Sequence, residues 1–356
     1  GAAYMADGYA RVTGRPGICM AQIIGALNLC AGLRDAHLAK SPIIALTGGR
    51  EANHRDRWAY QEVDDIPAFA PYTKMNAVVD DPARLPDMLR QAFRVATTGS
   101  PGPVHLQLAG NTGQAIENAE IDFDGVIEAQ YGQVPPDRPQ PDLNKVREAA
   151  KRISEARRPV IVAGGGVKYS GAYEALNKLA EAMHVPVATS LNAKDAILDN
   201  NPLCVGVVGT YSRRSANQVV AEADLVIFVG TRAGGMTTHF WTIPAKGTPT
   251  IQVDIDPLVN GRNYPTDVSI VGDARVTLEK MNELNIPVPK ERLEWIKQVQ
   301  EICTSYKTDF EKVYASDAFP IRPERIVNEL SNGMPENAII VVDTGHSGMW
   351  MGGMFE

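Results

Sequence analysis

Cysteine is scarce in this chain of 356 residues, which has only four: Cys19, Cys30, Cys204 and Cys303. No two of them form a C-x-x-C pair, which argues against a zinc ribbon and against a disulfide framework. The six histidines show no H-E-x-x-H or similar ligand spacing, so the sequence does not predict a zinc enzyme. Isolated thiols are typical of a reducing compartment, and we expect a cytoplasmic protein.

Long apolar runs are also missing, because no stretch approaches the roughly 18 residues that a membrane helix needs. Positive charge is in slight deficit, with 35 basic and 42 acidic side chains giving a formal net charge of −7. Such a surface repels a phosphate backbone at long range. We therefore expect neither a membrane-spanning segment nor a nucleic-acid partner.

What the chain does contain is a regular alternation of helical patterns with short apolar runs of strand length. A helix over residues 1–11 with Gly14 as its stop precedes a strand near residues 17–24. Further strands, alternating with helical stretches, are expected at residues 42–46, 77–79, 103–108, 159–163, 185–189, 225–229 and 250–254. This order predicts parallel sheets with helices on both faces. The expected fold class is α/β, with doubly wound parallel sheets.

Composition divides the chain into segments. A polar, proline-rich stretch containing Pro135, Pro136, Pro139 and Pro141 predicts a linker over residues 125–141. It would separate an N-terminal domain, residues 1–124, from a central domain, residues 142–288. A long helix over about residues 290–314 and a buried strand over residues 338–342 predict that residues 289–356 begin a third α/β domain.

Three glycine-rich turns follow predicted strands, at residues 164–166, 230–235 and 345–353. A turn without side chains lets a phosphate approach backbone N–H groups at a helix N-terminus. None of the turns fits a Walker A loop, and the first lacks the third glycine of the dinucleotide fingerprint because Tyr169 stands there. A nucleotide site and a plain tight turn both remain open for each.

Charged residues also follow predicted strands. Asp254 and Asp256 stand where an α/β sheet delivers residues to its ligand crevice, so either could hold a ribose hydroxyl or simply cap a turn. Arg232 could pair with a phosphate or lie on the surface. Asp273, in a Gly-Asp-Ala sequence, is better read as a helix cap than as a magnesium ligand.

Nine segments, taken together and in order, carry a resemblance to a known family. They are residues 1–14 (GAAYMADGYARVTG), 25–29 (GALNL), 32–36 (GLRDA), 41–48 (SPIIALTG), 60–64 (YQEVD), 99–104 (GSPGPV), 158–166 (RPVIVAGGG), 223–230 (ADLVIFVG) and 253–257 (VDIDP). Over essentially its whole length the chain resembles the thiamine-diphosphate-dependent enzymes of the acetolactate synthase type.

The resemblance implies a pyrimidine-binding N-terminal domain, a Rossmann-like central domain and a pyrophosphate-binding third domain. It also implies a 2-keto acid substrate, thiamine diphosphate with Mg²⁺, a homodimer or tetramer with its active site between subunits, and a place in branched-chain amino acid biosynthesis. The family's catalytic Glu falls before Gly1 and its magnesium motif after Glu356, so we expect no metal ligand in this chain and no activity from it alone.

Carried over residue by residue, the resemblance assigns catalytic roles to Gln61, which matches the family's active-site Gln, and to Lys74, which matches a channel lysine. A surface lysine is the open alternative for Lys74. Gly25 and Asn28 match the loop that approaches the aminopyrimidine, although residues 23–28 (IIGALN) lack the family's Gly-Pro-Gly and are one residue shorter. That difference leaves the substrate open.

The cofactor's diphosphate would meet a second loop: Thr344, Gly345, His346 and Ser347. His346 and Ser347 differ in type from the family's Gln and His at these places, so we expect backbone N–H contacts to dominate.

FAD or ADP in the central domain is a further implication, with six residues as candidates: Gly164, Gly165, Gly166, Gly230, Arg232 and Asp254. Family members that bind FAD carry charged residues where this chain has residues 233–236 (AGGM). Other readings remain: a non-catalytic nucleotide-binding homologue, an oxalyl-CoA-decarboxylase-like lyase and, last, a nicotinamide oxidoreductase.

Overall fold

The computed structural model describes residues 1–110, 120 and 128–356, which form two compact units, Gly1–Asp137 and Arg138–Glu356. The break between the units falls inside the linker expected over residues 125–141, of which residues 125–127 lie outside the described ranges. Residues 142–288 and 289–356 belong to the same compact unit, and the expected boundary between them stays a prediction.

The first unit contains a four-stranded parallel sheet in the order β1-β2-β4-β3. One face carries the helices nearest the N-terminus and the other carries the last helix of the unit. In chain order the elements are α1 (Ala2–Thr13), β1 (Gly17–Ala21), a 3₁₀ turn (Ile23–Leu29), α2 (Cys30–Ala39), β2 (Ile43–Gly49), α3 (Ile66–Phe69), β3 (Met75–Val79), α4 (Leu85–Thr97) and β4 (Val104–Ala109).

Small residues decide how α1 packs. The helix ends where expected, because Gly14 adopts a left-handed conformation at φ 67° and its N–H donates to the Ala10 carbonyl. A Cβ atom at Gly17 would lie 2.2 Å from the Ala6 carbonyl oxygen, and one at Gly32 would lie 2.6 Å from the Ala3 Cβ. Gly17, and Gly32 of the resemblance segments, thus serve close packing of α1 on β1 and α2.

The second unit is built on a six-stranded parallel sheet in the order β10-β9-β8-β5-β6-β7. Its strands are β5 (Pro159–Ala163), β6 (Val187–Thr189), β7 (Cys204–Val207), β8 (Leu225–Val229), β9 (Thr250–Asp254) and β10 (Val268–Val271). Its helices are α5 (Leu143–Glu155), α6 (Gly165–Ser170), α7 (Tyr173–Met183), α8 (Arg214–Glu222), α9 (Ala274–Asn282), α10 (Glu291–Tyr314), α11 (Pro323–Gly333) and α12 (His346–Met354).

This strand order has a switch point. From β5 the chain moves outward through β6 and β7, then returns to the other side of β5 for β8, β9 and β10. Ligands of doubly wound sheets bind beyond the strand ends at such a point, which here lies between β5 and β8. The expected α/β class with parallel sheets is confirmed. Among helices of the described ranges, none has both the length and the hydropathy needed to cross a bilayer.

The strand expected over residues 338–342 is wrong. These residues have no regular structure, and Ile339 and Val341 are 90% and 91% exposed. A strand needs a neighbour to satisfy its backbone N–H and C=O groups, and both sheets of the described residues end before this segment. An apolar run therefore does not make a strand here.

Arg292, near the start of α10, is fully buried and joins three helices. Its guanidinium donates to the carbonyl of Met183 at 2.7 Å and to those of Ile153 and Ala156 at 2.6 Å each. These carbonyls belong to the C-terminal ends of α7 and α5, where helices leave C=O groups without partners. Burial lowers the pKa of Arg292, although a guanidinium remains charged under all ordinary conditions. One side chain on α10 thus caps the C-terminal ends of both α5 and α7.

Replacing Arg292 with Met should therefore lower the free energy of unfolding by at least about 3 kcal/mol, because three buried carbonyls lose their donor at about 1–3 kcal/mol each. Urea denaturation of the two proteins measures the difference. Lys151→Met is the matched control, since its pairing with Glu155 at 3.8 Å is exposed and should contribute less than about 1 kcal/mol. Equal loss in the two variants would contradict the capping role.

Candidate functional site

The 3₁₀ turn Ile23–Leu29 begins directly after β1, at the C-terminal edge of the first sheet. Gln22 caps this turn: its side-chain oxygen accepts from the Ile24 N–H at 3.1 Å, and its carbonyl accepts from the Gly25 N–H at 2.8 Å. The Gln22 amide nitrogen donates to Oε1 of Gln61 at 2.7 Å. The structure thus brings Gln61 to the turn that carries Gly25 and Asn28. Gln22 was missed from the sequence because the strand expected near residues 17–24 runs through it, whereas β1 ends at Ala21.

The Gln22 contact also orients the Gln61 amide. Because the Ile24 N–H requires an oxygen on Gln22, the other Gln22 atom is its NH₂ group, which can only donate. Gln61 must therefore present its oxygen to Gln22. The NH₂ group of Gln61 is left as a donor for another partner.

Gln61 lies in a strained loop. Its φ is 61°, and Asp56 and Trp58 are also left-handed, at 58° and 55°. Such a conformation costs a residue other than glycine roughly 1–2 kcal/mol. The Glu62 carboxylate ties the loop by accepting the N–H of Ala59 at 2.9 Å and that of Asp56. The bond from Ala59 is the largest cause of a lowered pKa for Glu62. A strained loop held in place by one carboxylate is typical of a functional site.

Lys74 lies elsewhere. It precedes β3, whose first residue pairs with the first residue of β4, so Lys74 is at the N-terminal edge of the sheet. Gln22 and Gln61 are at the C-terminal edge, which lies about 16 Å further along the strand direction, and β1 and β3 are also the two outermost strands of the sheet. The Lys74 ammonium donates to the Thr98 carbonyl at 2.8 Å. Within this unit the structure separates the two candidate catalytic residues, and the contacts of Lys74 favour the surface alternative.

A buried polar chain crosses the first sheet through His105 on β4. Asn76 on β3 donates to the Ile66 carbonyl at 2.7 Å, so its oxygen faces the His105 Nδ1 at 2.7 Å. Nδ1 therefore carries the proton, and Nε2 accepts from the Thr47 hydroxyl at 2.8 Å. Phe69 stacks on the ring with centroids 3.7 Å apart. Burial lowers the pKa of His105 to about 4, so the imidazole is neutral at pH 7.

The candidate diphosphate loop precedes α12 in the second unit. Gly345 has a left-handed φ of 90° and is the N-cap of α12. The Thr344 N–H donates to the Asp343 carboxylate at 2.8 Å, and the Ser347 hydroxyl contacts the Asp343 carbonyl at 3.4 Å. His346 and Ser347 are exposed in the first turn, where backbone N–H groups lack helical acceptors. These donors suit an anion, which a helix N-terminus favours.

The glycine turns of the central region meet at the switch point, but they pack against each other. A Cβ at Gly164 would lie 2.3 Å from the Gly230 carbonyl oxygen, and one at Gly166 would lie 2.6 Å from the Gly230 Cα. The Gly166 N–H already donates to Gly230 and the Val167 N–H to Gly164, both at 2.9 Å. These contacts explain the glycines as a tight turn and leave fewer N–H groups for a pyrophosphate.

The charged residues beyond β8 and β9 are partly engaged in their own loops. Asp254 accepts from the Asp256 N–H at 3.0 Å, and Asp256 accepts from the Leu258 N–H at 2.9 Å, as turn-capping carboxylates do. Desolvation lowers the pKa of Arg232, while the Asp254 charge acts in the opposite direction. Arg232 and Asp254 are therefore neighbours at this edge. Asp273, as expected, caps α9 by accepting the Val276 N–H at 3.0 Å.

Groups of three or more His, Cys, Asp or Glu side chains that could hold a metal ion do not occur among the described residues. The side chains that the structure describes therefore do not fit a magnesium site.

Comparison with known protein families shows to which family the chain belongs. Residues 1–68 match the family described as "Thiamine pyrophosphate enzyme, N-terminal TPP binding domain", and residues 146–281 match "Thiamine pyrophosphate enzyme, central domain". The chain belongs to the thiamine pyrophosphate enzyme family. The first match contains the Gln22–Gln61 contact and the second contains the switch point, whereas the candidate diphosphate loop lies beyond both matched ranges.

Individual members of the family are similar over the entire chain. The probable acetolactate synthase large subunit of Methanocaldococcus jannaschii is 36% identical over 100% of this chain and 60% of its own length. The acetolactate synthase large subunit of Corynebacterium glutamicum is 33% identical over 98% of this chain and 55% of its own length. The chain thus spans little more than half the length of these relatives.

The neutral state of His105 makes stability depend on pH. Its pKa is about 4 when folded against 6.5 when unfolded, so the unfolded chain binds the proton first as the pH falls. The free energy of unfolding should drop by about 3 kcal/mol between about pH 7 and pH 4 through this group alone. Denaturation of the wild type and His105→Gln across this range measures it.

His105→Gln should lose the pH dependence that His105 causes. His184→Asn changes an exposed histidine with φ 48° and should keep that pH dependence. Asn suits a left-handed position, so this control is not strained. Identical pH profiles for the wild type and His105→Gln would show that His105 is not the linked group.

Proposed function

We propose that this chain is part of a thiamine-diphosphate-dependent enzyme that joins 2-keto acids in the manner of acetolactate synthase, as a homodimer or tetramer in branched-chain amino acid biosynthesis. The observation that carries the proposal is the Gln22–Gln61 contact at the turn Ile23–Leu29, at the edge of a sheet in the unit that matches the TPP binding domain. The names of the relatives support the carboligation chemistry and favour none of the alternatives left open by the sequence.

Thiamine diphosphate would supply the electron sink that a 2-keto acid needs to lose carbon dioxide. The residues of this chain orient and bind. Gln61 offers its free NH₂ group to an oxygen of the keto acid, held there by Gln22 and by the loop that Glu62 ties. The N–H groups of His346 and Ser347 would hold the diphosphate, with the Thr344 and Gly345 backbone shaping the turn. Gly25 and Asn28 would border the aminopyrimidine.

The proposed function has three further elements: a nucleotide cofactor, the metal ion and the cellular compartment. FAD or ADP would bind at the switch point between β5 and β8, supported by its position and opposed by the engaged N–H groups of Gly166 and Val167. A visible flavin spectrum from the purified full-length protein tests FAD. Mg²⁺ would bind together with thiamine diphosphate, as the counter-ion of its diphosphate group. The four cysteines are free, which supports the cytoplasm.

The full-length protein should convert pyruvate or a related 2-keto acid only when thiamine diphosphate and Mg²⁺ are added. Carbon dioxide release and product analysis by mass spectrometry provide the measurement, and omission of thiamine diphosphate provides the blank. Absence of turnover across a broad panel of keto acids would refute the proposal. Detectable turnover by residues 1–356 alone would contradict our expectation for this chain.

Gln22 and Gln61 should act as one unit in that reaction. Either Gln22→Leu or Gln61→Leu should lower kcat/KM for the keto acid about five- to tenfold, the value of one lost hydrogen bond of about 1–1.5 kcal/mol. The double variant should fall little further, because each single change already removes the contact. Gln300→Leu, on an exposed position of α10, is the control. Additive losses would show that the two amides act independently.

A further inference from the structure

Helix α12 is held by its C-terminal end. Gly352 and Gly353 are buried, and a Cβ at Gly353 would lie 2.9 Å from the Ser212 carbonyl oxygen. A Cβ at Gly352 would lie 2.4 Å from the Leu191 Cδ1. The helix backbone therefore touches the loop before α8 and the 3₁₀ turn after β6, with no room for side chains.

Arg213 joins the C-terminal end of α12 to β7. It is 5% exposed, and its Nε donates to the Gly353 carbonyl at 2.7 Å. Its Nη1 lies 2.8 Å from the Asp199 carboxylate and 3.4 Å from that of Glu356. The side chain runs so close over β7 that a Cβ at Gly206 would lie 2.4 Å from the Arg213 Cδ. The arginine is thus fixed by β7 on one side and by α12 on the other.

The charge of Arg213 suits its position. A cation at a helix C-terminus is favourable, because the last carbonyls carry partial negative charge. Burial alone would lower the pKa of Arg213, but the carboxylates of Asp199 and Glu356 outweigh it and the pKa is raised. Nearby Lys194 has a lowered pKa through burial and through the charge of Arg213. A guanidinium stays protonated under all ordinary conditions, so Arg213 is a permanent positive charge in this cluster.

The other end of α12 carries the candidate diphosphate loop. The helix has nine residues and is about 13 Å long, which makes it a short, stiff connection. Gly345 is its N-cap, and the N–H groups of its first turn point out of that end. Fixing the C-terminal end and the rotation of the helix therefore fixes the direction of those N–H groups.

We propose that Arg213 is a positioning residue for thiamine diphosphate: by holding the Gly353 carbonyl, it sets where α12 presents the N–H groups of His346 and Ser347 to the diphosphate. The inference rests on the proposed function. It assigns to the second unit a residue that meets no part of the cofactor, yet determines the affinity for it. Substrate turnover on bound cofactor does not depend on this contact.

The test uses the full-length protein and two direct readouts, calorimetric titration of the apoprotein with thiamine diphosphate and Mg²⁺, and hydrogen exchange of residues 346–354. Arg213→Met should weaken binding about tenfold or more, as the loss of a hydrogen bond from a charged donor implies, and should speed exchange in α12. At saturating cofactor its kcat should stay within about twofold of the wild type. Arg213→Lys should restore part of the affinity.

Arg214→Met is the matched control, because Arg214 is the next residue, is 61% exposed and pairs with Asp309 on the surface. It should leave affinity and exchange unchanged. Gly353→Ala, whose methyl group would meet the Ser212 backbone, should weaken binding without touching Arg213 and covers the case in which Arg213→Met does not fold. Unchanged affinity in Arg213→Met or Gly353→Ala overturns the inference. Absence of binding to the wild type instead overturns the proposed function.

Discussion

Every strand pair in the described part of the chain is parallel, and this constraint shapes both units. In a parallel sheet all strands end at one edge, so the turns that follow them are brought together there. Gln22 after β1 and the glycine turns after β5 and β8 owe their places to this geometry alone. The same constraint places Lys74, which comes before a strand, at the opposite edge from Gln61.

Close backbone contact explains many of the glycines, both in the turns that first suggested a ligand and elsewhere in the described residues. Gly17 and Gly32 let α1 lie on β1 and α2, and Gly164 and Gly166 lie against Gly230 with no room for a Cβ. A glycine motif can thus indicate a protein family and also reflect a packing requirement. Among the described glycines of the three candidate turns, Gly345 combines a required backbone conformation with accessible N–H groups, because its positive φ caps α12 at an exposed end.

The sequence predicted best what depends on local pattern. Uninterrupted apolar runs predicted β5, β8 and β9 with their bounds, and Gly14 marked the end of α1. Short edge strands, β7 and β10, were missed because four residues give little periodicity. The run at residues 338–342 failed because strand formation depends on a neighbour. The edge position of Lys74 could have been predicted, since it precedes an expected strand.

Two buried arginines could not be predicted as such, because their partners are distant in the chain. Arg292 reaches carbonyls 109 to 139 residues away, and Arg213 reaches one 140 residues away. Both use the same physical device, a guanidinium that satisfies the carbonyls at a helix end. The two arginines differ in what lies at the N-terminal end of each helix that they cap. For α5 that end follows the linker and for α7 it follows α6, so Arg292 contributes to stability, whereas for α12 it is the candidate diphosphate loop. A cap that is purely structural in one place therefore becomes a determinant of binding in the other.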